Sequence, residues 1–211
     1  MKKEKIIDLT CKISEKMAVF PGDPRPELKR ALKMPRDCVN ILSLKMATHH
    51  GTHIDAPYHK MIKGRKLDSY PLGKFLLKKA CRIDLRKVCK RKDKKIEVED
   101  LIPFKKVIRK NKAVLLFTGH NMKNNKNFPY LSENAAKFLS KFNLDIVGID
   151  TLSVDSIKSK DKAHLPLLKR DILILETLAN LKKLPKEFIL ICAPLLIENS
   201  DGAPCRVAAL I

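Results

Sequence analysis

The chain has 211 residues, 45% of them hydrophobic, enough to bury a sizeable core in one domain spanning residues 1–211. No apolar run approaches the roughly 18 residues of a membrane span, and residues 1–8 turn polar again before a signal-peptide core can form, so a soluble cytoplasmic protein with no membrane partner is expected. A formal net charge of +21 suits a nucleic-acid or anionic surface, but aromatics are only 5%, Trp is absent and no nucleic-acid motif is recognisable, which disfavours such a partner.

Ile7, Leu9, Cys11 and Ile13 alternate with polar neighbours, the period of a half-buried strand. Phe20-Pro21-Gly22-Asp23-Pro24-Arg25-Pro26 is dense in breakers and reads as a loop. Leu42, Leu44 and Met46 alternate in the same way and predict a strand running into a loop at residues 49–59. Short apolar runs of strand character follow at 80–84, 113–117, 146–149, 172–175, 188–192 and 207–211. Helical patterns lie at 98–110 and 132–142, where Ser132 can cap the second and Glu133 favours its positive end. Strands alternating with helices, and hairpin-length gaps elsewhere, predict an α/β domain with a mixed sheet.

The basic run from Arg86 to Lys95 reads as a solvated loop. None of the six cysteines forms a Cys-x-x-Cys pair, so reduced thiols are expected, with Cys11, Cys81 and Cys192 as small core hydrophobes.

Four of the six histidines fall in His49-His50-Gly51-Thr52-His53-Ile54-Asp55-Ala56-Pro57-Tyr58-His59. His49, His53 and Asp55 supply two imidazoles and a carboxylate, a three-ligand set that leaves room for water on a catalytic metal. His49, His53, Asp55 and His59 are all odd-numbered, so extended stretches would turn them to one side. Gly51 permits a tight turn, Thr52 can tie it down, and Pro57 stiffens the backbone before His59. His50 is out of phase and reads as a bystander or a supporting group. Downstream, Glu176 directly follows four aliphatics, a costly place for a carboxylate without a charged partner, although a strand end in water is the alternative. His164 is a possible companion, and His120 reads as a loop histidine able to line a pocket.

The histidine string resembles the H-x-G-T-H-x-D-x-P-x-H signature of the cyclase-type metal-dependent hydrolases, among them bacterial kynurenine formamidases. Phe20-Pro21-Gly22-Asp23 is similar to that family's aromatic-P-G-D loop, and the segment from Gly148 to Asp155 to its G-x-D-x-x-S-x-D element. Glu176-Thr177-Leu178-Ala179-Asn180-Leu181 and Pro204-Cys205-Arg206-Val207 match its later elements in order. The resemblance implies a swivelling β/β/α fold, a homodimer and a binuclear site. His49, His53 and Asp55 would hold one metal, with Asp55 bridging to a second on His164 and Glu176. His59 would be the catalytic acid–base and Phe20 would lie against the substrate. Two zinc ions are expected, with manganese second, because histidine and carboxylate without thiolate suit either. The implied reaction is cleavage of a small amide by metal-activated hydroxide, with N-formyl-kynurenine giving kynurenine and formate, or alternatively opening of an isatin- or imide-like ring. Kynurenine formamidases usually carry tryptophan where this chain has Phe20, which still stacks on an aryl ring but lacks an indole N–H.

Overall fold

A computed structural model describes residues 5–90, 95–122, 127–158 and 162–211. Its strands are β1 (Ile6–Asp8), β2 (Glu27–Leu32), β3 (Ile41–Lys45), β4 (His53–Asp55), β5 (Lys78–Asp84), β6 (Lys95–Ile96), β7 (Ala113–Phe117), β8 (Tyr130–Leu131), β9 (Ile146–Ile149), β10 (Leu173–Glu176), β11 (Glu187–Pro194) and β12 (Gly202–Leu210). The α-helices are α1 (Val98–Leu101), α2 (Lys105–Lys110), α3 (Glu133–Leu139) and α4 (His164–Leu168).

The apolar runs form strands because both of their faces are buried. Along β7, Ala113, Leu115 and Phe117 enter one core while Val114 and Leu116 enter another. In β10 the same split separates Leu173 and Leu175 from Ile174. Each fully buried aliphatic of this kind is worth about 1.5–3 kcal/mol. Hydrogen bonding runs β12–β11–β5–β7–β9–β10–β4 and returns from β4 to β12, so the sheet closes like a barrel, with β1 added along β12. Pairs β5–β7, β7–β9 and β9–β10 are parallel, and the remaining pairs of this sheet are antiparallel. The first core gathers residues from all seven strands of the ring. The second is capped by Leu101, Ile108, Ala135, Leu139 and Leu167 of the helices. Ser132 caps α3 as its sequence predicts, its Oγ accepting from the Ala135 amide at 3.0 Å. This is the mixed α/β architecture expected.

Four local expectations are corrected. The strand anticipated through Ile13 ends at Asp8, since the Cys11 amide turns to the Thr52 hydroxyl, and Cys11 is only partly buried. The alternating segment around Leu44 is a strand, yet it is exposed on both faces because it pairs only with β2 in a separate hairpin. The helix expected over 98–110 is split by a 3₁₀ turn at Ile102–Phe104, where Pro103 cannot continue the α-helical ladder. Residues 49–59 are not one loop: His53–Asp55 is strand β4, buried throughout. Part of the basic run, residues 91–94, lies outside the described residues, as do residues 1–4. No helix among the described residues is long and apolar enough to cross a membrane.

Candidate active site

Alternation along β4 places His53 and Asp55 on one face and Ile54 on the other, in the core. Antiparallel pairing sets Glu176 of β10 directly opposite His53. His164 begins α4, which packs beside β10. Four side chains from three separate stretches of the chain therefore meet above one small area of the sheet.

The turn before β4 is built to deliver them. Gly51 adopts φ +70, a conformation costly for residues with a side chain, and a Cβ there would meet the Ile13 side chain at 3.1 Å. The Thr52 hydroxyl accepts from the Cys11 amide at 2.8 Å and donates to the Thr177 carbonyl at 2.6 Å, joining this turn to the end of β10. His50 is buried and accepts the Ala47 amide at 3.2 Å; it supports the turn and does not line the pocket. After β4, a 3₁₀ turn at Pro57–His59 swings His59 back beside His49, with ring centroids 4.0 Å apart.

His53 Nε2 lies 3.3 Å from Asp55 Oδ1 and 3.5 Å from Glu176 Oε2. His164 Nε2 lies 3.3 Å from Asp55 Oδ2 and 3.4 Å from Glu176 Oε1. Two ligands held at about 2.0–2.1 Å by one tetrahedral ion stand about 3.3–3.4 Å apart. Asp55 Oδ2 is buried and makes no hydrogen bond. The donor set, the spacing and the orphaned oxygen all fit a divalent cation.

The outer contacts hold these imidazoles ready. His53 Nδ1 donates to the Gly51 carbonyl at 2.9 Å, leaving Nε2 as a lone-pair donor. His164 Nδ1 lies 2.9 Å from Asp155 Oδ2, and Asp155 also accepts the Ala163 amide at 2.6 Å. Glu176 Oε1 accepts the Val154 amide at 2.7 Å.

His49 has both ring nitrogens engaged, Nδ1 with Asp55 Oδ1 at 2.8 Å and Nε2 with Asp201 Oδ2 at 2.7 Å. Burial opposes charge on His49, but Asp55 and Asp201 outweigh it and raise its pKa to about 9. For His164, burial is outweighed by Asp155, Asp55 and Glu176, which raise it to about 10. His53 is raised against burial by Asp55 and Glu176. Burial pushes Asp55 up, yet His49 and His53 hold it well below the carboxylate range. The protein thus concentrates carboxylates that demand positive charge, which protons or a metal can supply.

Of the residues expected at the site, His53, Asp55, His164 and Glu176 form the tight group. His49 and His59 flank it, and Phe20 joins His49, His53, His59, His164 and Glu176 in lining one pocket of about 270 Å³. His120 does not line that pocket; its ring lies 6.1 Å from Phe128, which in turn lies 6.5 Å from Phe20. Two carboxylates were missed. Asp155 stands in a quoted motif without an evident partner, because only the fold brings it to His164. Asp201 precedes Gly202, whose pairing with Asp55 cannot be seen from spacing.

Residues 7–156 match a family model described as putative cyclase. A kynurenine formamidase of Geobacillus thermodenitrificans (strain NG80-2) is 32% identical over 209 residues, covering 96% of this chain and 95% of its own. A solved structure described as a predicted metal-dependent hydrolase from Bacillus stearothermophilus superposes with a TM-score of 0.78 at 28% identity, covering 99% of this chain and 98% of its own. Isatin hydrolase A from Labrenzia aggregata shares the fold, with a TM-score of 0.86 at 24% identity over 99% and 94% of the two chains. The fold and the site are those of an enzyme, a metal-dependent hydrolase. The chain belongs to the cyclase family.

Proposed function

We propose that this enzyme is an arylformamidase that hydrolyses N-formyl-kynurenine to kynurenine and formate. The observation that carries the reading is the opening of His59, His53, His164 and Glu176 onto one pocket beside Phe20, backed by the buried Asp55. Near-full-length relatives named kynurenine formamidase support the substrate.

His49, His53 and Asp55 would hold one divalent cation, with Asp55 shared toward a second on His164 and Glu176. Zinc is the first choice, supported by the near-tetrahedral donor spacing, and manganese the second. Such cations, when bound, acidify water and polarise a carbonyl. His59 takes a proton from the attacking water and returns it to the leaving nitrogen. Oxygen adds to the formyl carbon, the C–N bond breaks, formate carries away the new oxygen, and the arylamine gains the proton. Phe20 packs against the aryl ring and helps exclude solvent.

The test is His59→Ala assayed beside wild type for metal content and for kcat/KM on N-formyl-kynurenine, other formamides and isatin. Metal retained with turnover reduced at least 100-fold is expected. Wild-type turnover in the variant would remove His59 from the chemistry, and a preference for isatin would replace the substrate.

We also propose a homodimer working in the cytoplasm. Ile41, Leu42 and Leu44 stand 47%, 46% and 56% exposed on the β2–β3 hairpin, apolar surface that a second copy can bury. Cys11, Cys38, Cys81, Cys192 and Cys205 are unbridged, which suits a reducing compartment. A monomer by light scattering would remove the dimer.

A further inference from the structure

Asp201 sits in the turn ahead of β12 and is held from several sides. Its Oδ1 accepts the Thr48 hydroxyl at 2.9 Å, and its backbone carbonyl accepts the Ala56 amide at 2.9 Å. Its Oδ2 faces two imidazoles, His49 Nε2 at 2.7 Å and His59 Nδ1 at 3.2 Å. The carboxylate is thus a fixed acceptor at the inner nitrogen of His59.

We infer that Asp201 is a positioning residue that acts through His59. An acceptor opposite Nδ1 keeps the ring proton on Nδ1 and leaves the Nε2 lone pair free. The ring lines the pocket, so Nε2 is the atom left to take a proton from water and return it to the leaving nitrogen. The carboxylate oxygen of Asp201 faces the imidazolium formed midway and prevents the ring from turning over or adopting the other tautomer. Because the same oxygen also meets His49, the acid–base group is fixed relative to the metal-holding group by one atom. No covalent bond to Asp201 forms or breaks. Carboxylates that orient a catalytic histidine elsewhere are worth up to about 10⁴ in kcat, so the expected loss here is roughly 100- to 10 000-fold.

The inference rests on His59 being the acid–base, and the experiment separates the two claims. Asp201→Asn, His59→Ala and the double variant are assayed on formanilides whose ring substituents make nitrogen an increasingly good leaving group. Metal content and urea midpoints are measured alongside. Asp201→Asn is expected to keep its metal and lose kcat rather than KM, with the loss shrinking as the leaving group improves. In the His59→Ala background it is expected to cost less than about threefold, since there is no longer an imidazole to orient. Thr48→Val, which loosens the same carboxylate while leaving it present, reproduces the pattern at smaller size and serves should Asp201→Asn fold poorly. Full multiplicative loss in the double variant would overturn the inference. So would a loss that tracks metal content, which assigns Asp201 to His49, or wild-type activity in both single Asp201 and Thr48 variants. Wild-type activity in His59→Ala overturns the acid–base reading itself.

Discussion

Gly202→Ala is the most demanding test of how the site is braced. Gly202 opens β12 opposite Asp55, and a Cβ there would stand 2.7 Å from the Ile54 carbonyl oxygen and 2.9 Å from His49 Cε1. Carbon–oxygen contacts normally lie at about 3.3–3.6 Å, so β4 must retreat by about 0.6 Å or more, or His49 must swing away. Overpacking of this kind costs about 1–3 kcal/mol, offset by about 0.4–1 kcal/mol because alanine restricts the unfolded chain. The net is about 1–2 kcal/mol, or roughly 2–8 °C in Tm for a chain of this length. The moved strand carries His53 and Asp55. A 1 Å misplacement can cost about 100-fold, so a fall in kcat of about tenfold or more is expected. The assays are urea unfolding and steady-state formamidase kinetics. Gly73→Ala serves as the control, since no atom lies within 4 Å of a Cβ there. A Gly202→Ala enzyme that matches the control in both midpoint and kcat would refute the reasoning.

Thr52→Val keeps the side-chain shape but deprives the Cys11 amide and the Thr177 carbonyl of their shared hydroxyl. A loss of about 2–4 kcal/mol in urea unfolding is expected, and a change below about 0.5 kcal/mol would show that the hydroxyl does not brace the turn. Burial pushes Asp145 up, but Lys78 at 2.9 Å and Lys74 at 3.2 Å outweigh it and hold the carboxyl below its ordinary range. With the folded pKa depressed, the stabilisation is complete above the unfolded carboxylate pKa of about 4 and is lost as pH falls below it. Lys78→Met is therefore expected to destabilise at pH 7 and much less near pH 3, and equal loss at both would contradict the assignment.

The strands around Leu115, Val147 and Ile174 were legible because burial on both faces writes an uninterrupted aliphatic run. Histidine spacing and turn residues likewise marked His53 and Asp55. What spacing could not convey was pairing across long stretches of chain. That β4 lies between β10 and β12 makes His53 and Asp55 strand residues rather than loop residues, and it also brings in Asp201. The β2–β3 hairpin misled for a different reason. Leu42 and Leu44 alternate like half-buried residues, yet the hairpin stands apart from the main sheet and both its faces meet solvent. At Ile102–Phe104 the apolar period ran on through Pro103, and local backbone chemistry overrode it.

The return of β12 to β4 also ties the site to a distant part of the chain. The residues that line the pocket lie between Ala18 and Thr177, but the pair that seals the ring brings in Gly202, Ala203 and Pro204. The same segment supplies Asp201, which meets His49 and His59 from behind. The strand that carries His53 and Asp55 is thus held in place by a partner some 150 residues away along the chain.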